Sequence, residues 1–454
     1  MANQLNFKTD ISVSSQELYD WHMKPGSFDR IQPPWENARF VKRAPKIIND
    51  AEETLEVKIG PFVQKWQAAY YDVIPGKQFC DTQKSGPFKS WKHQHLCLTK
   101  NEKTSTLHDK IEYQLPLAPL SNWLAGSFTK KKMHRMFHYR HQVTQLDLER
   151  SQLFQGPSKC VLVTGGTGLV GSSLVPLLKN LGHKVFVLTR SPKDDSHIAW
   201  NPAKKTIERE KLTQFDTIIH LAGENVGGLW TKSYKEKMRS SRISSTQWFV
   251  DELLQHASNL KCFIAASGSN YYPTDTGEVY DESGSKGHGF LADLVSDWEA
   301  ATQKIKTHNI RLVTLRISMV LSSRGGALQK MLLPAKLGIN KSWGSGKHHF
   351  SWIAIDDLVD IIALAINSPD MNGIINVSSP NSISCRDFFT CLGKVFKMPQ
   401  LIGVPAFILK AMPGGMGKEI LLADNRLNPQ VLSDLNYSYR YPGLESALRH
   451  QLGR

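Results

Sequence analysis

The chain has few cysteines and no cysteine pair at redox or metal-ligand spacing. Its six (Cys80, Cys97, Cys160, Cys262, Cys385 and Cys391) are scattered through 454 residues. This excludes a CxxC motif and a disulfide framework, and it predicts a reducing compartment. Cys160 and Cys262 stand in apolar strand patterns, as small core residues do. No apolar run is long enough to span a bilayer; Leu358 to Ile366 is short and carries Asp360. The first residues, MANQLNFKTD, are polar and hold no signal-peptide core. These absences predict a soluble, cytoplasmic protein without a membrane span. Acidic residues are the minority: 41 Asp and Glu against 56 Lys and Arg give a formal net charge of +15. That balance favours anionic partners, whether nucleotide phosphates, nucleic acid or anionic lipid, without choosing between them. No nucleic-acid motif accompanies it, so no nucleic-acid partner is expected.

What is present centres on one stretch, KCVLVTGGTGLVGSSLVPLLKNLGHKVFVLTR, from Lys159 to Arg190. It reads as a buried strand (Cys160 to Val163), a glycine turn, an amphipathic helix and a second strand (Val185 to Thr189). The turn runs Thr164-Gly165-Gly166-Thr167-Gly168-Leu169-Val170-Gly171. Gly165 suits a sharp turn off the strand. Gly168, without a side chain, lets a pyrophosphate reach the backbone. Gly171 lets the helix pack close. The helix N-terminus then presents free N–H groups to phosphates. Pro176 is expected to kink the helix and Gly182 to stop it. A strand before the glycines and a helix after them mark a dinucleotide fingerprint.

The second strand ends Thr189-Arg190-Ser191, where NAD sites carry Asp or Glu for the ribose 2′-hydroxyl. A guanidinium suits a 2′-phosphate, so Arg190 predicts NADP(H). The alternative is that Arg190 is solvated and Asp194 or Asp195 takes the acidic role.

The length accommodates roughly two or three domains. Residues 1–150 lack the βαβ rhythm. Strand-like alternation over Thr54 to Ile74 is broken at Gly60-Pro61. Gln94 to Thr99 and Leu107 to Leu115 form a hairpin pattern around Lys100 to Thr104. After Pro116 and Pro119, 122–149 has helix composition. This predicts an antiparallel sheet closed by a long helix, with 151–158 (Gly156-Pro157 included) as linker. The aromatics Trp21, Phe28, Trp35, Phe62, Trp66, Tyr70, Tyr71, Phe79, Phe88 and Trp91 either line a cavity or fill a core. His134, His138 and His141 share a helical stripe beside Lys130-Lys131-Lys132. Its two-turn span argues against a metal site and for a solvated basic face, and no metal is expected.

From Lys159 the βαβ units repeat. Phe215 to Gly223 is a strand running into a small-residue turn, Leu221-Ala222-Gly223, where a dinucleotide ribose would pass. Lys232 to His256 is a helix, Leu260 to Ser267 a strand, Leu291 to Lys306 a helix and Arg311 to Ile317 a strand.

Several motifs resemble known families. WHMKPGSFDRIQPPWE, DTQKSGPFKSWKHQH, DKIEYQLPLAPL and MFHYRH are similar to the START-like helix-grip domain fused ahead of certain atypical short-chain dehydrogenases. The resemblance implies a cavity for an apolar ligand. TGGTGLVG, HLAGENV, SSRISST, SGSNYYP, DWEAAT, RISMVLSSRGGAL and SWIAIDDL resemble, in order, the atypical branch of the extended short-chain dehydrogenase/reductase superfamily. That branch is labelled epimerase-like or cell-division-inhibitor-like. The resemblance implies a doubly wound Rossmann domain over 159–400 and a small C-terminal domain over 401–454. Superfamily members are often homodimers, though no interface is legible.

The same resemblance exposes a departure. Ordinary members act through a Tyr and a Lys at i and i+4, with a Ser and an Asn. Here the Tyr position falls near Leu291, the Lys position near Val295 and the Asn position near Arg242. A hydroxyl remains at Ser267 or Ser269. Tyr271 and Tyr272, just past a strand end, are the substitute acid/base candidates, with Arg242 as a cation to lower a phenol pKa. The expected catalytic residues are therefore Ser267 and Tyr272. The expected cofactor residues are Gly165, Thr167, Gly168, Leu169, Val170, Gly171, Thr189, Arg190, Leu221, Ala222, Gly223, Arg242 and Ser267. The expected activity is an NADP(H)-dependent oxidoreductase or epimerase on a small molecule. A nucleotide-binding sensor or ligand carrier is the alternative.

Overall fold

The computed structural model describes residues 2–36, 38–59, 62–116 and 120–454, with 120–125 described by backbone alone. Gly60-Pro61 and Pro119, the expected breaks, lie outside the described residues. Two compact units are present: Met1–Gln155 with Leu452–Arg454, and Gly156–Gln451.

The first unit contains β1 (Asn3–Ile11), α1 (Ser15–Met23), α2 (Ser27–Arg30), β2 (Ala38–Lys42), β3 (Glu52–Ile59), β4 (Phe62–Ile74), β5 (Gln78–Ser85), β6 (Ser90–Asn101), β7 (Thr104–Gln114) and α3 (Leu120–Glu149). The strands form one antiparallel sheet in the order β1-β7-β6-β5-β4-β3-β2. Helix α1 starts at a capping box: Ser14 Oγ accepts from Glu17 N while Glu17 Oε2 accepts from Ser14 N at 2.9 Å. The long helix begins close to the expected position and buries Met133, Phe137, Val143 and Leu148. The histidine stripe is corrected in one member. His134 and His138 are exposed, but His141 is buried and bonds Thr9 Oγ1 and Asp109 Oδ2, each at 2.9 Å. His134 and His141 both lie against Phe7 of β1, with ring centroids 5.1 and 6.2 Å away. What sets His141 apart is that β1 and β7 supply its polar partners, which helical spacing does not reveal.

The second unit contains β8 (Cys160–Thr164), α4 (Gly171–Asn180), β9 (Lys184–Thr189), β10 (His197–Asn201), β11 (Thr206–Ile207), β12 (Thr217–His220), α5 (Lys232–His256), β13 (Cys262–Gly268), α6 (Phe290–Ala300), β14 (Arg311–Ile317), β15 (Met319–Leu321), α7 (Gly326–Lys336), β16 (His349–Phe350), β17 (Trp352–Ala354), α8 (Ile355–Asn367) and β18 (Gly373–Val377). The main sheet runs β11-β10-β9-β8-β12-β13-β14-β18. It is parallel apart from the β11 edge. From β10 to β14 this is the doubly wound 3-2-1-4-5-6 order, whose reversal between β8 and β12 opens a ligand crevice at the strand carboxyl ends. Val161, Leu162, Val163, Ile218 and Ile219 are fully buried, as strands covered on both faces require.

Helix α4 continues through Pro176 and ends before Gly182, whose φ of +89° fits the left-handed stop. The helix expected to reach Lys306 ends at Ala300. Thr302 Oγ1 donates to Glu299 O at 2.8 Å, a side-chain bond that competes with the helix, and a 3-10 turn (Gln303–His308) follows. The C-terminal segment is tied to α8 through buried carboxylates. Arg440 grips Asp360 at 2.6 and 2.8 Å, Asp357 accepts from Arg440 N and Tyr441 N, and Asp356 accepts from Gln451 Nε2. The Asp360 that interrupts the apolar run is thus a structural anchor.

Candidate cofactor site

The glycine turn is built as its spacing predicts. Gly165 has φ +69°, and a Cβ there would lie 2.9 Å from Leu221 C. A Cβ on Gly171 would meet Gly165 O at 2.4 Å and Gly166 Cα at 2.5 Å. What Gly171 relieves is therefore crowding against the turn's own backbone. Gly168 is exposed, and its Cβ would meet only Gly165 O, at 3.1 Å; its open side is where a phosphate could approach. Thr167 is exposed beside it, and Leu169 and Val170 lead into α4. Gly166 carries a constraint that spacing alone did not assign: a Cβ there would strike Val187 of β9 at 2.6 Å.

The switch point is locked by a buried polar relay. Thr164 Oγ1 accepts from Leu221 N and Ala222 N, each at 3.1 Å, and bonds His220 Nδ1 at 2.9 Å. His220 Nε2 bonds Thr246 Oγ1 of α5 at 2.9 Å. Burial lowers the His220 pKa to about 4, so the ring is neutral and joins both hydroxyls. This fixes the Leu221-Ala222-Gly223 turn opposite the glycine turn.

Two cations border the crevice. Arg190 is exposed at the end of β9, beside Thr189, whose Oγ1 accepts from Ser191 N at 3.2 Å. Asp194, the acidic alternative, is engaged by Ser196 N, Ser196 Oγ and His197 Nδ1 at 2.9, 2.6 and 3.1 Å. Arg242 lies against Gly223, with its Cζ 3.2 Å from where a Cβ would stand. Its Nη1 is buried and has no hydrogen-bond partner among the described residues. Burial depresses its pKa to about 10. A buried guanidinium with a free donor calls for an anionic or carbonyl oxygen.

The catalytic expectation is corrected for Tyr272. Its ring is 1 % exposed and stacks on Tyr280. Its hydroxyl donates to Asn376 Oδ1 and accepts from Arg316 Nη1, both at 2.8 Å, and burial pushes its pKa up to about 12. The phenol is buried with its donor and an acceptor position both engaged, and the raised pKa keeps it protonated, which does not fit the expected acid/base role. The nearby cation is Arg316, not Arg242. Arg316 also lies 3.4 Å over the Tyr271 ring and forks Glu299, which accepts Ser267 Oγ at 2.6 Å. Ser267 is therefore a member of a buried Ser267–Glu299–Arg316–Tyr272–Asn376 chain at the carboxyl ends of the strands. Glu299 and Arg316 stand in the DWEAAT and RISMV motifs, where sequence spacing gives no sign of their pairing. Leu291 and Val295, at the Tyr and Lys positions, are buried.

The first unit holds a separate cavity of about 570 Å³. Phe28, Trp66, Tyr70, Phe79, Phe88 and Trp91 line it, whereas Trp21 packs into the core and Phe62 is exposed. Asp81, His93 and His95 line it too. Burial opposes charge on His93, but the Asp109 and Asp81 carboxylates outweigh it and raise the ring to about 9. Burial would raise Asp81; the facing His93 and His95 hold it well below the usual carboxylate range. These residues sit in the quoted DTQKSGPFKSWKHQH motif. A His-x-His on a strand puts both rings on one face, a signal the helical stripe overshadowed.

A glycine turn, a reversed strand order and a cation-bordered crevice define a Rossmann-type dinucleotide-binding fold. Comparison with known proteins narrows this. Residues 161–378 match the NAD dependent epimerase/dehydratase family, and residues 404–451 match a domain of unknown function, DUF1731. An epimerase family protein of Staphylococcus haemolyticus is 35% identical over 64% of this chain and 97% of its own length. The chain belongs to the epimerase family. Among solved structures, a nucleoside-diphosphate sugar epimerase from Corynebacterium glutamicum aligns with TM-score 0.82 and 27% identity, over 99% of this chain and 90% of that one. A human epimerase family protein, SDR39U1, solved with NADPH, aligns with TM-score 0.59 and 29% identity, over 64% of this chain and 97% of that one. Among the described residues no helix is long and apolar enough to cross a membrane.

Proposed function

We propose that this protein is an NADP(H)-dependent oxidoreductase or epimerase acting on a small molecule. In this reading its first unit is a START-like helix-grip domain that captures an apolar ligand or substrate. The observation that carries the nucleotide reading is the buried Arg242 Nη1, unpartnered beside Gly223 in a crevice that also presents Arg190. Gly168 and the start of α4 would take the pyrophosphate, Arg190 the 2′-phosphate, and Arg242 an oxygen of the cofactor or substrate. The human relative solved with NADPH supports this preference. The cofactor would supply or accept the hydride. The aromatic-lined cavity supports apolar capture.

The test is transfer of deuterium from 4-deuterated NADPH into a panel of carbonyl compounds and nucleotide sugars. Label in any product supports the oxidoreductase reading. A second reading, nucleotide sensing without hydride transfer, is favoured by one observation: Leu291, Val295 and Tyr272 leave no exposed phenol–amine pair at the usual position. Tight NADPH binding with no label transferred, and no epimer formed from the nucleotide sugars when NADP⁺ is supplied, would favour it.

A further inference from the structure

Strand register in the first unit brings four titratable side chains together. Asp81 of β5 stands directly opposite His93 of β6, and His95, two residues on, stands opposite Asp109 of β7. Alternation puts them on one face, where Asp81, His93 and His95 line the cavity. Asp81 Oδ2 lies 3.3 Å from His93 Nδ1 and 3.5 Å from His95 Nε2. The three ligand atoms lie within 4.8 Å of one another. Metal bonds of about 2.0–2.1 Å in a tetrahedron imply ligand–ligand edges of roughly 3.3–3.4 Å, close to the two separations from Asp81 Oδ2.

We propose that Asp81 Oδ2, His93 Nδ1 and His95 Nε2 bind a divalent transition cation of the zinc class, with its fourth position open to the cavity. The other ring nitrogens support this. His93 Nε2 and His95 Nδ1 face Asp109 Oδ1 at 3.2 and 2.9 Å. His93 Nε2 and Asp109 Oδ1 are buried without a directed hydrogen bond among the described residues. A carboxylate behind two ligand histidines is the arrangement that orients imidazoles on a metal. Asp109 is itself held from behind by His141 Nε2 at 2.9 Å. With neutral imidazoles, Asp81 and Asp109 offset a divalent charge, and the Arg140 guanidinium on the cavity lining adds one positive charge beside them. Two histidines, one carboxylate and an open position make a site that takes a ligand oxygen. Around it the lining is mainly aromatic and aliphatic, with Glu36, Glu53, Lys132 and Arg140 among it, so the fitting ligand is a largely apolar molecule with an oxygen-bearing head. None of this depends on nucleotide binding.

The full-length protein, stripped with a chelator, is titrated with Co²⁺ and Zn²⁺. Wild type is expected to bind one equivalent, with the intense visible bands of low-coordinate Co²⁺, and Zn²⁺ to raise its melting temperature. Asp81→Asn/His95→Gln and His93→Gln, each checked for fold by circular dichroism, are expected to lose that equivalent, its bands and the thermal shift. Asp109→Asn is expected to weaken binding by about 10- to 100-fold. The proposal is overturned if folded wild type binds no more metal than the variants. It is equally overturned if the variants keep the equivalent, which would place the ion elsewhere, for example at His134 and His138. Retention in Asp81→Asn with complete loss in Asp109→Asn would overturn the ligand set.

Discussion

Arg316 holds Glu299 in a two-pronged contact beneath the carboxyl end of the sheet. Its Nε lies 2.9 Å from Oε1 and its Nη2 2.9 Å from Oε2, with side-chain exposures of 2% and 10%. The pair joins Ser267 on one side to Tyr272 and Asn376 on the other. It holds β13, β14, α6 and β18 together just below the crevice.

Breaking this pair from one side leaves a buried charge without its partner. Arg316→Met is expected to destabilise the protein by about 3–5 kcal/mol. Arg316→Met/Glu299→Leu is expected to recover much of the loss, because both charges leave together. Urea unfolding of the two variants checks this. A double variant no better than the single would mean that the remaining chain, not the uncompensated charge, sets the cost.

The glycines separate folding from binding. Gly171→Ala drives a Cβ into Gly165 O and Gly166 Cα at 2.4 and 2.5 Å, so it is expected to cost about 1–3 kcal/mol and to weaken nucleotide binding. Gly168→Ala meets only Gly165 O, at 3.1 Å, so it is expected to keep near-wild-type stability while losing NADPH affinity. Thermal melts beside NADPH titrations distinguish the two. Equal melting losses would show that Gly168 is a folding glycine.

His220 gives the second unit an acid limit. Its folded pKa, about 4, lies below the ordinary histidine value of 6.5, so it contributes stability above pH 6.5 that is lost as pH falls through 4. The window amounts to on the order of 3 kcal/mol. The urea midpoint difference between wild type and His220→Gln is expected to shrink from pH 7 to pH 4. A difference that stays constant would show that the ring is not held neutral.

The Rossmann half is legible because its signals are local: apolar runs, a glycine turn and, over Lys232–His256, a helix-length stretch without proline or glycine. The C-terminal ends of the strands are less so. Tyr272 looked like an active-site residue from its place after a strand. Its burial depends on Asn376 and Arg316, which lie 104 and 44 positions away. His141 followed the helix stripe in sequence but answers to Asp109 across the sheet. The Asp81–His93 contact is set by strand register, which the hairpin pattern of 94–115 did not reach. Pairwise geometry between distant residues decided each point the sequence missed.

Selection of a 2′-phosphate by Arg190, proposed above, is read in a single titration. Nicotinamide fluorescence is followed as NADPH and NADH are added to wild type and to Arg190→Ala. The expected result is tight NADPH binding, weaker NADH binding, and a loss of about 10- to 100-fold in NADPH affinity in the variant with NADH little changed. Equal affinity for the two nucleotides in wild type, or binding of neither, would contradict it.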